Sequence, residues 1–345
     1  MRLIKPLTAV TLAASLVLTG CSGSGSPSSS SAGSLPASVD GYPLSVDNCG
    51  HSLTITKAPE RIVTLNQSST EIHLSLGLAD RMVGTATWTD PILDSLKAEN
   101  EKVPRLADNN ASLEAILATN PDFVAASFPH TYSDKSSGSF EKYSSLGIPA
   151  YLAPNQCNKG KDGNGDSVPE TPFTIDKIYR EIEDLSTIHN VRDKGAELVT
   201  SLKSRFAKAI ENTYDGKIKV VFWFANSEAP YVAGGGGASQ FVSNEMGLKN
   251  AYAHLPSEWP QVSWEDIAAT NPDILVIGDL TRKSQTAETA TAKIEYLESN
   301  PVTAQMDAVK NKRFVRVAGA DMNPSIRTVD LAEKLAKAID EFGLK

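Results

Sequence analysis

From residue 61 onward, two kinds of apolar spacing alternate along the chain. Short continuous runs occur at 61–65 (RIVTL), 82–86, 123–126 (FVAA), 150–152, 219–224 (KVVFWF), 274–277 (ILVI) and 313–317. Such runs read as strands buried on both faces. Between them lie stretches with helical character. Residues 68–78 carry Ile72, Leu74, Leu76 and Leu78, with Thr70 as a candidate cap. Residues 174–214 form a long helical stretch with Leu198, Leu202, Phe206 and Ile210 in register, with a possible break near Asn190. Residues 330–342 place Leu331, Leu335, Ala338 and Ile339 on one face. Strand–helix alternation predicts an α/β protein with mainly parallel sheets. A polar pair around Asn48-Cys49-Gly50 in 42–56 reads as an exposed hairpin.

One unit occurs twice. Residues 112–125 read SLEAILATNPDFVA and residues 263–276 read SWEDIAATNPDILV. Ser112 and Ser263 are natural N-caps, their hydroxyls accepting from an orphan backbone N–H. Glu114 and Glu265 then fall in the first helical turn, where the helix dipole favours a carboxylate. Asn-Pro closes each helix, because the residue before proline avoids the α region. A buried strand follows. Two copies predict two similar lobes, each presenting one acidic helix start at its surface.

Composition adds bounds. The chain has 345 residues, 41% of them hydrophobic, enough for two domains, and a net charge of −8 that argues against nucleic acid as the main partner. Arg2 and Lys5 precede an apolar stretch at 7–18 that is too short for a permanent membrane span, and it ends in Leu18-Thr19-Gly20-Cys21. That tetrad resembles the bacterial lipoprotein signal, which implies cleavage before Cys21 and lipid attachment to it. The stretch 22–39 is Ser, Gly and Pro without periodicity, a flexible tether. Cys49 and Cys157 remain, and an even remainder in an exported protein reads as one disulfide. Its loop of about 100 residues corresponds to about 4.7 kcal/mol in a chain-entropy estimate. The expected layout is signal 1–20, tether 21–41, N-terminal lobe 42–190, connecting helix 191–214 and C-terminal lobe 215–345.

Candidate chemistry is sparse. The sequence carries no G-x-S-x-G, H-E-x-x-H, C-x-x-C or P-loop, and its five histidines are scattered. No catalytic set, resident metal or intrinsic cofactor is expected. Asp162-Gly-Asn164-Gly-Asp166 resembles the start of a calcium loop, but Ser167 and Phe173 stand where Gly and Glu are required, which favours a solvated loop. The run Gly234–237 lacks the last glycine of a dinucleotide fingerprint, since Ser239 stands there. It would let a partner approach the backbone or form a tight turn. Ligands of open α/β sheets bind at loops after strands. The candidates there are Asn66, Gln67, Trp88, Tyr231, Trp259, Asp321, Asn323 and Arg327, with Arg327 available to an anionic group.

With these elements in place, the chain from about residue 59 onward resembles the solute-binding proteins of ABC importers for iron–siderophore complexes and vitamin B12. The resemblance rests on APERIVTL at 58–65, Glu71-(x5)-Gly77-Leu78, the two N-P-D units, Leu146-Gly-Ile148, Asn300-Pro-Val302 and Trp259-Pro-Gln-Val-Ser263, the last close to the B12 branch. It implies two Rossmann-like lobes joined by one long α-helix, a receptor without enzymatic activity, and a ligand held between the lobes; a monomer is expected. It also implies that Glu114 and Glu265 dock on a permease dimer that works with an ATPase, that Trp259 contacts ligand, and that Trp88 stands at an aromatic cleft position. Asp108 departs from the B12 branch, which has an aromatic there. The expected ligand is an iron(III)–siderophore chelate, with a corrinoid next and haem or another large anionic cofactor after it. The expected location is outside the cytoplasm, with the membrane reached only through the lipid on Cys21.

Overall fold

A hairpin opens the computed structural model: β1 (Leu44–Asn48) and β2 (His51–Ile55) pair antiparallel, turning at Cys49 and Gly50, both at positive φ. The structure describes residues 41–157, 159–161, 167–281 and 288–344; the expected leader, the tether before residue 41, Cys21 and the loop at 162–166 lie outside them. Next come β3 (Ile62–Thr64), α1 (Gln67–Ser75), β4 (Met82–Ala86), α2 (Lys97–Asn100), β5 (Arg105–Ala107), α3 (Leu113–Leu117), β6 (Phe123–Ala126), α4 (Phe140–Ser145) and β7 (Ala150–Leu152). The five strands β3–β7 form one parallel sheet in the order β5-β4-β3-β6-β7. β3, β6 and β7 are buried along their whole length, which is why their sequences are unbroken apolar or small-polar runs rather than alternating ones.

A short hairpin, β8 (Lys159–Lys161) and β9 (Ser167–Pro169), leads to α5 (Asp176–Ile188) and α6 (Arg192–Ala209). The helical stretch 174–214 is thus divided. Asn190 takes φ +56°, and Val191 N–H returns to Ser186 O at 2.8 Å, so the chain turns between the two helices. They then pack closely: a Cβ on Gly195 would lie 2.3 Å from Ser186 Oγ. α6 carries the chain toward the second lobe, where Arg205 pairs with Asp330 and Glu333 of the last helix.

The second lobe contains β10 (Lys219–Ala225), β11 (Tyr231–Val232), α7 (Ala238–Glu245), β12 (Lys249–Asn250), α8 (Trp264–Thr270), β13 (Ile274–Asp279), α9 (Ala290–Ser299), α10 (Asp307–Lys310), β14 (Phe314–Ala318), α11 (Gly319–Met322) and α12 (Thr328–Glu341). β10, β13 and β14 run parallel; β12 joins β10 in parallel and β11 joins it antiparallel. One apolar core continues from Ile62 and Ile72 through Ile182 and Leu202 to Val220 and Leu335, so the helical layer ties both lobes together. The protein is an α/β structure of two mainly parallel-sheet lobes with long helices between them.

Two local expectations change. Thr70 does not cap α1. Asn66 does, its side chain accepting from Ser68 N–H at 2.9 Å, while Thr70 is buried one turn in with its hydroxyl on Thr64, Thr85 and Asn66 O. The glycine run is a packing device for the chain itself. A Cβ on Gly234 would lie 2.1 Å from Ser257 O, and one on Gly235 would lie 2.4 Å from Ala253 O. The close partner is therefore the 253–257 backbone.

Candidate functional site

Between the sheets lies a cleft of about 470 Å³. This falls within the roughly 300–1,000 Å³ of pockets for drug-sized ligands. The first lobe contributes residues that follow its strands. Asn66 and Gln67 start α1 after β3, Trp88 follows β4, Asn109 and Asn110 follow β5, and Phe128 and His130 follow β6. The second lobe contributes Phe224, Glu258, Trp259, Ala320 and Asn323. Trp259 and Phe224 meet with ring centroids 4.7 Å apart. Opposite them Trp88 is 7% exposed, its ring covered on one side by the Arg105 guanidinium at 5.0 Å and its indole Nε1 without a hydrogen-bond partner. Among the described residues lining the cleft there is no Lys or Arg. Amides, hydroxyls and aromatic faces dominate, with one carboxylate, Glu258.

Of the eight candidates, the structure brings Asn66, Gln67, Trp88, Trp259 and Asn323 together around this space. Three others stand elsewhere. Tyr231 is 37% exposed and bridges Gln261 beside the start of α8. Asp321 is buried and holds Ala318 N–H at 3.0 Å and the Lys334 ammonium. Arg327, expected to meet an anionic ligand group, is buried against Glu71: its Nε donates to Glu71 Oε2 at 2.8 Å and its Nη2 to Pro91 O at 2.7 Å. Burial works against the Arg327 charge, yet Glu71, Asp321 and Asp90 around it keep its pKa above the ordinary value. It is not among the residues that line the cleft.

Sequence reasoning missed Asn109, Asn110, Phe128, His130, Phe224 and Glu258. The first four sit just past the C-terminal ends of β5 and β6, so the strand-end rule reaches them. Phe224 looks like core because it ends the run KVVFWF. Glu258 immediately precedes Trp259, but nothing in its local spacing marks it.

The two matching helix starts share one geometry. Ser112 Oγ accepts from Ala115 N–H at 3.2 Å, and Ser263 Oγ accepts from Asp266 N–H at 3.1 Å. Glu114 and Glu265 are both solvent-exposed in the first turns. The Glu114 carboxyl is held below its usual pKa by its own backbone N–H and by Ser112. Asn120 and Asn271 end these units with φ of +50° and +43°, left-handed turns that asparagine tolerates. In the structure Cys49 and Cys157 are joined, with Cα atoms 5.0 Å apart, tying the first hairpin to the segment after β7. Among the described residues no group of three or more His, Cys, Asp or Glu could hold a metal ion, and no helix is long and apolar enough to cross a membrane.

The comparisons with known proteins agree with this geometry. Residues 62–319 match the model of the periplasmic binding protein family. The uncharacterized ABC transporter substrate-binding lipoprotein YvrC of Bacillus subtilis is 26% identical over 343 residues, covering 96% of this chain and 95% of its own length. A vitamin B12-binding protein of Vibrio parahaemolyticus is 29% identical over 227 residues, covering 65% of this chain and 73% of its own length. Among solved structures, a periplasmic binding protein from Veillonella parvula superposes with a TM-score of 0.73 at 26% identity, covering 88% of this chain and 98% of its own. One from an Fe3+-hydroxamate transport system of Saccharomonospora viridis has a TM-score of 0.68 at 23% identity, covering 86% and 99%, a likeness of fold. The chain belongs to the periplasmic binding protein family, whose members bind solutes rather than catalyse reactions.

Proposed function

We propose that this protein is the lipid-anchored receptor of an ABC importer, capturing an iron(III)–siderophore chelate between its lobes and handing it to the permease. The observation that carries this reading is the cleft itself. It is walled by aromatic rings from both lobes and lined among the described residues by amides and hydroxyls without a cation. Such a lining suits a bulky chelate that carries no net negative charge, as an iron(III) trihydroxamate does. A tris-catecholate complex or the carboxylates of haem would call for Arg or Lys at the wall. Docking falls to Glu114 and Glu265, exposed at equivalent helix starts of the two lobes and complementary to a basic surface on each half of a permease dimer. The anchor is the lipid on Cys21, with the tether between it and the folded body. An extracytoplasmic site also fits the Cys49–Cys157 pairing.

A corrinoid is the second reading. It is favoured by the Vibrio parahaemolyticus relative and by the amide side chains Asn66, Gln67, Asn109, Asn110 and Asn323, which can pair with the amide groups at a corrin's edge. Quenching of intrinsic Trp fluorescence by iron(III)–ferrioxamine B, an iron(III) tris-catecholate, haem and cyanocobalamin separates the readings. Saturable quenching by ferrioxamine alone is the expected result. Saturation by cyanocobalamin alone moves the assignment to corrinoids, and tight binding of the catecholate or haem rejects the charge argument.

A further inference from the structure

Below the cleft, polar groups of the two lobes are joined by a network that the ligand site does not account for. Glu71 on α1 and Arg327 before α12 are 1% and 5% exposed at their side chains and pair through both carboxylate oxygens. Asp90, in the loop after β4, accepts from Gly319 N–H at 3.3 Å and Ala320 N–H at 2.7 Å, at the start of α11 in the other lobe. Pro91 O in the same loop accepts from Arg327 at 2.7 Å. Gln67 organises the first-lobe half. Its Oε1 accepts from Thr89 N–H at 3.2 Å and Asp90 N–H at 3.0 Å, and its Nε2 donates to Glu71 at 3.1 Å and Pro91 O at 3.2 Å.

The segments that make this network also make the cleft. α1 supplies Gln67 to the wall and Glu71 to the network. The loop after β4 supplies Trp88 and then Asp90. α11 supplies Ala320 to the wall and the Ala320 N–H to Asp90. The segment after α11 supplies Asn323 to the wall and Arg327 to the network. We propose that Glu71, Asp90 and Arg327 form an interlobe bolt that fixes the angle between the two walls of the cleft, acting as positioning residues for the solute. Apolar contact alone would hold the lobes together but would let them slide, because it is non-directional. A bidentate guanidinium–carboxylate pair and a carboxylate on two fixed N–H groups set a geometry. Burying a charged pair brings little net stability over an apolar replacement, so its distinctive contribution here is orientation. Release of the solute then requires the bolt to open.

The test replaces both members of the ion pair at once, Glu71→Gln with Arg327→Met, so that neither is left buried opposite an empty position, while Asp321 keeps Lys334 and Asp90 keeps its two N–H donors. Asp90→Asn is the milder companion and keeps the experiment decisive where the double variant fails to fold. Spin labels on Glu141→Cys and Glu295→Cys, exposed helix positions in different lobes, report the interlobe distance distribution in a full-length Cys21→Ser background. The bolt predicts a distribution at least twice as broad as that of the wild type in the folded variants. It also predicts a tenfold or greater rise in the dissociation rate of iron(III)–ferrioxamine B, with the thermal midpoint within a few degrees of wild type. Arg327→Lys, which keeps the charge but loses the fork, falls between. A wild-type distribution in either folded variant overturns the bolt. The dissociation arm rests on the receptor reading and the distance arm does not: if the wild-type protein ignores the chelate, that reading fails while the distance distribution still decides the bolt.

Discussion

Trp259 lies against Phe224 on one wall of the cleft and Trp88 stands in the other, so a solute between the lobes meets broad apolar faces from both sides. Removing the larger exposed face should be costly. Trp259→Ala is expected to raise the dissociation constant for the bound chelate at least tenfold, about 1.4 kcal/mol, measured by fluorescence titration through the remaining tryptophans. An unchanged constant removes Trp259 from the site. Buried titratable side chains make a second prediction. Burial holds the His73 pKa at about 4, against an ordinary 6.5, and holds His189, 3.2 Å from it, well below the same value. The unfolded chain takes up these protons as pH falls through 6.5 and the folded one does not. Stability from these residues is therefore present above pH 6.5 and is lost on the way down to pH 4, by about 3 kcal/mol for His73. Glu181 acts oppositely. Burial, then the neighbouring Asp184, raises its pKa to about 8, so its contribution is full below pH 4.5 and is lost as pH rises through 8. Urea unfolding should show lower stability at pH 5 than at pH 7, and Glu181→Gln should be more stable than wild type at pH 7 and steepen that loss. A flatter profile in Glu181→Gln contradicts the assignment. The position of the Trp residues after strands was legible from spacing. The fate of Arg327 was not: Glu71 lies 256 residues earlier, and a single sequence carries no sign of a pair at that separation.

At the scale of elements, the repeated cap–helix–turn–strand unit was readable because each part has a local cause: a serine hydroxyl on an orphan N–H, a first-turn carboxylate, and an Asn-Pro stop. The break in the helical stretch was only half readable. Asn190 suggested it, but the close packing of Gly195 on Ser186 depends on the path of the chain after the turn. The cap of α1 was misassigned to Thr70, because a threonine inside a helix and one at its start look alike until the sheet behind it is known. Asn66 both caps α1 and lines the cleft, so Asn66→Ala should lower stability by about 1 kcal/mol and also weaken solute binding. Denaturation and titration of the same sample measure the two effects, and loss of neither would remove it from both roles. The first hairpin is tied down twice, by Asn48, which exchanges hydrogen bonds with Leu152 at 2.7 Å, and by Cys49 bonded to Cys157. Peptide mapping of unreduced protein should recover Cys49 and Cys157 in one linked fragment, and free alkylated thiols at both positions would contradict the pairing.

The whole molecule has two α/β lobes with a continuous apolar core through α5, α6 and α12, and a polar, aromatic cleft between the lobe faces. This architecture followed from alternating runs and from the internal repeat, while the identity of the solute depends on side chains assembled from both halves of the chain. The central claim is that two equivalent acidic helix starts present a solute-loaded cleft to a transporter. The most direct measurement pairs uptake of radiolabelled iron(III) chelate by cells with solute binding by the purified protein, for Glu114→Arg with Glu265→Arg. The account predicts that uptake falls to background while the dissociation constant stays within about twofold of wild type. Uptake at the wild-type rate in the doubly reversed protein would contradict it.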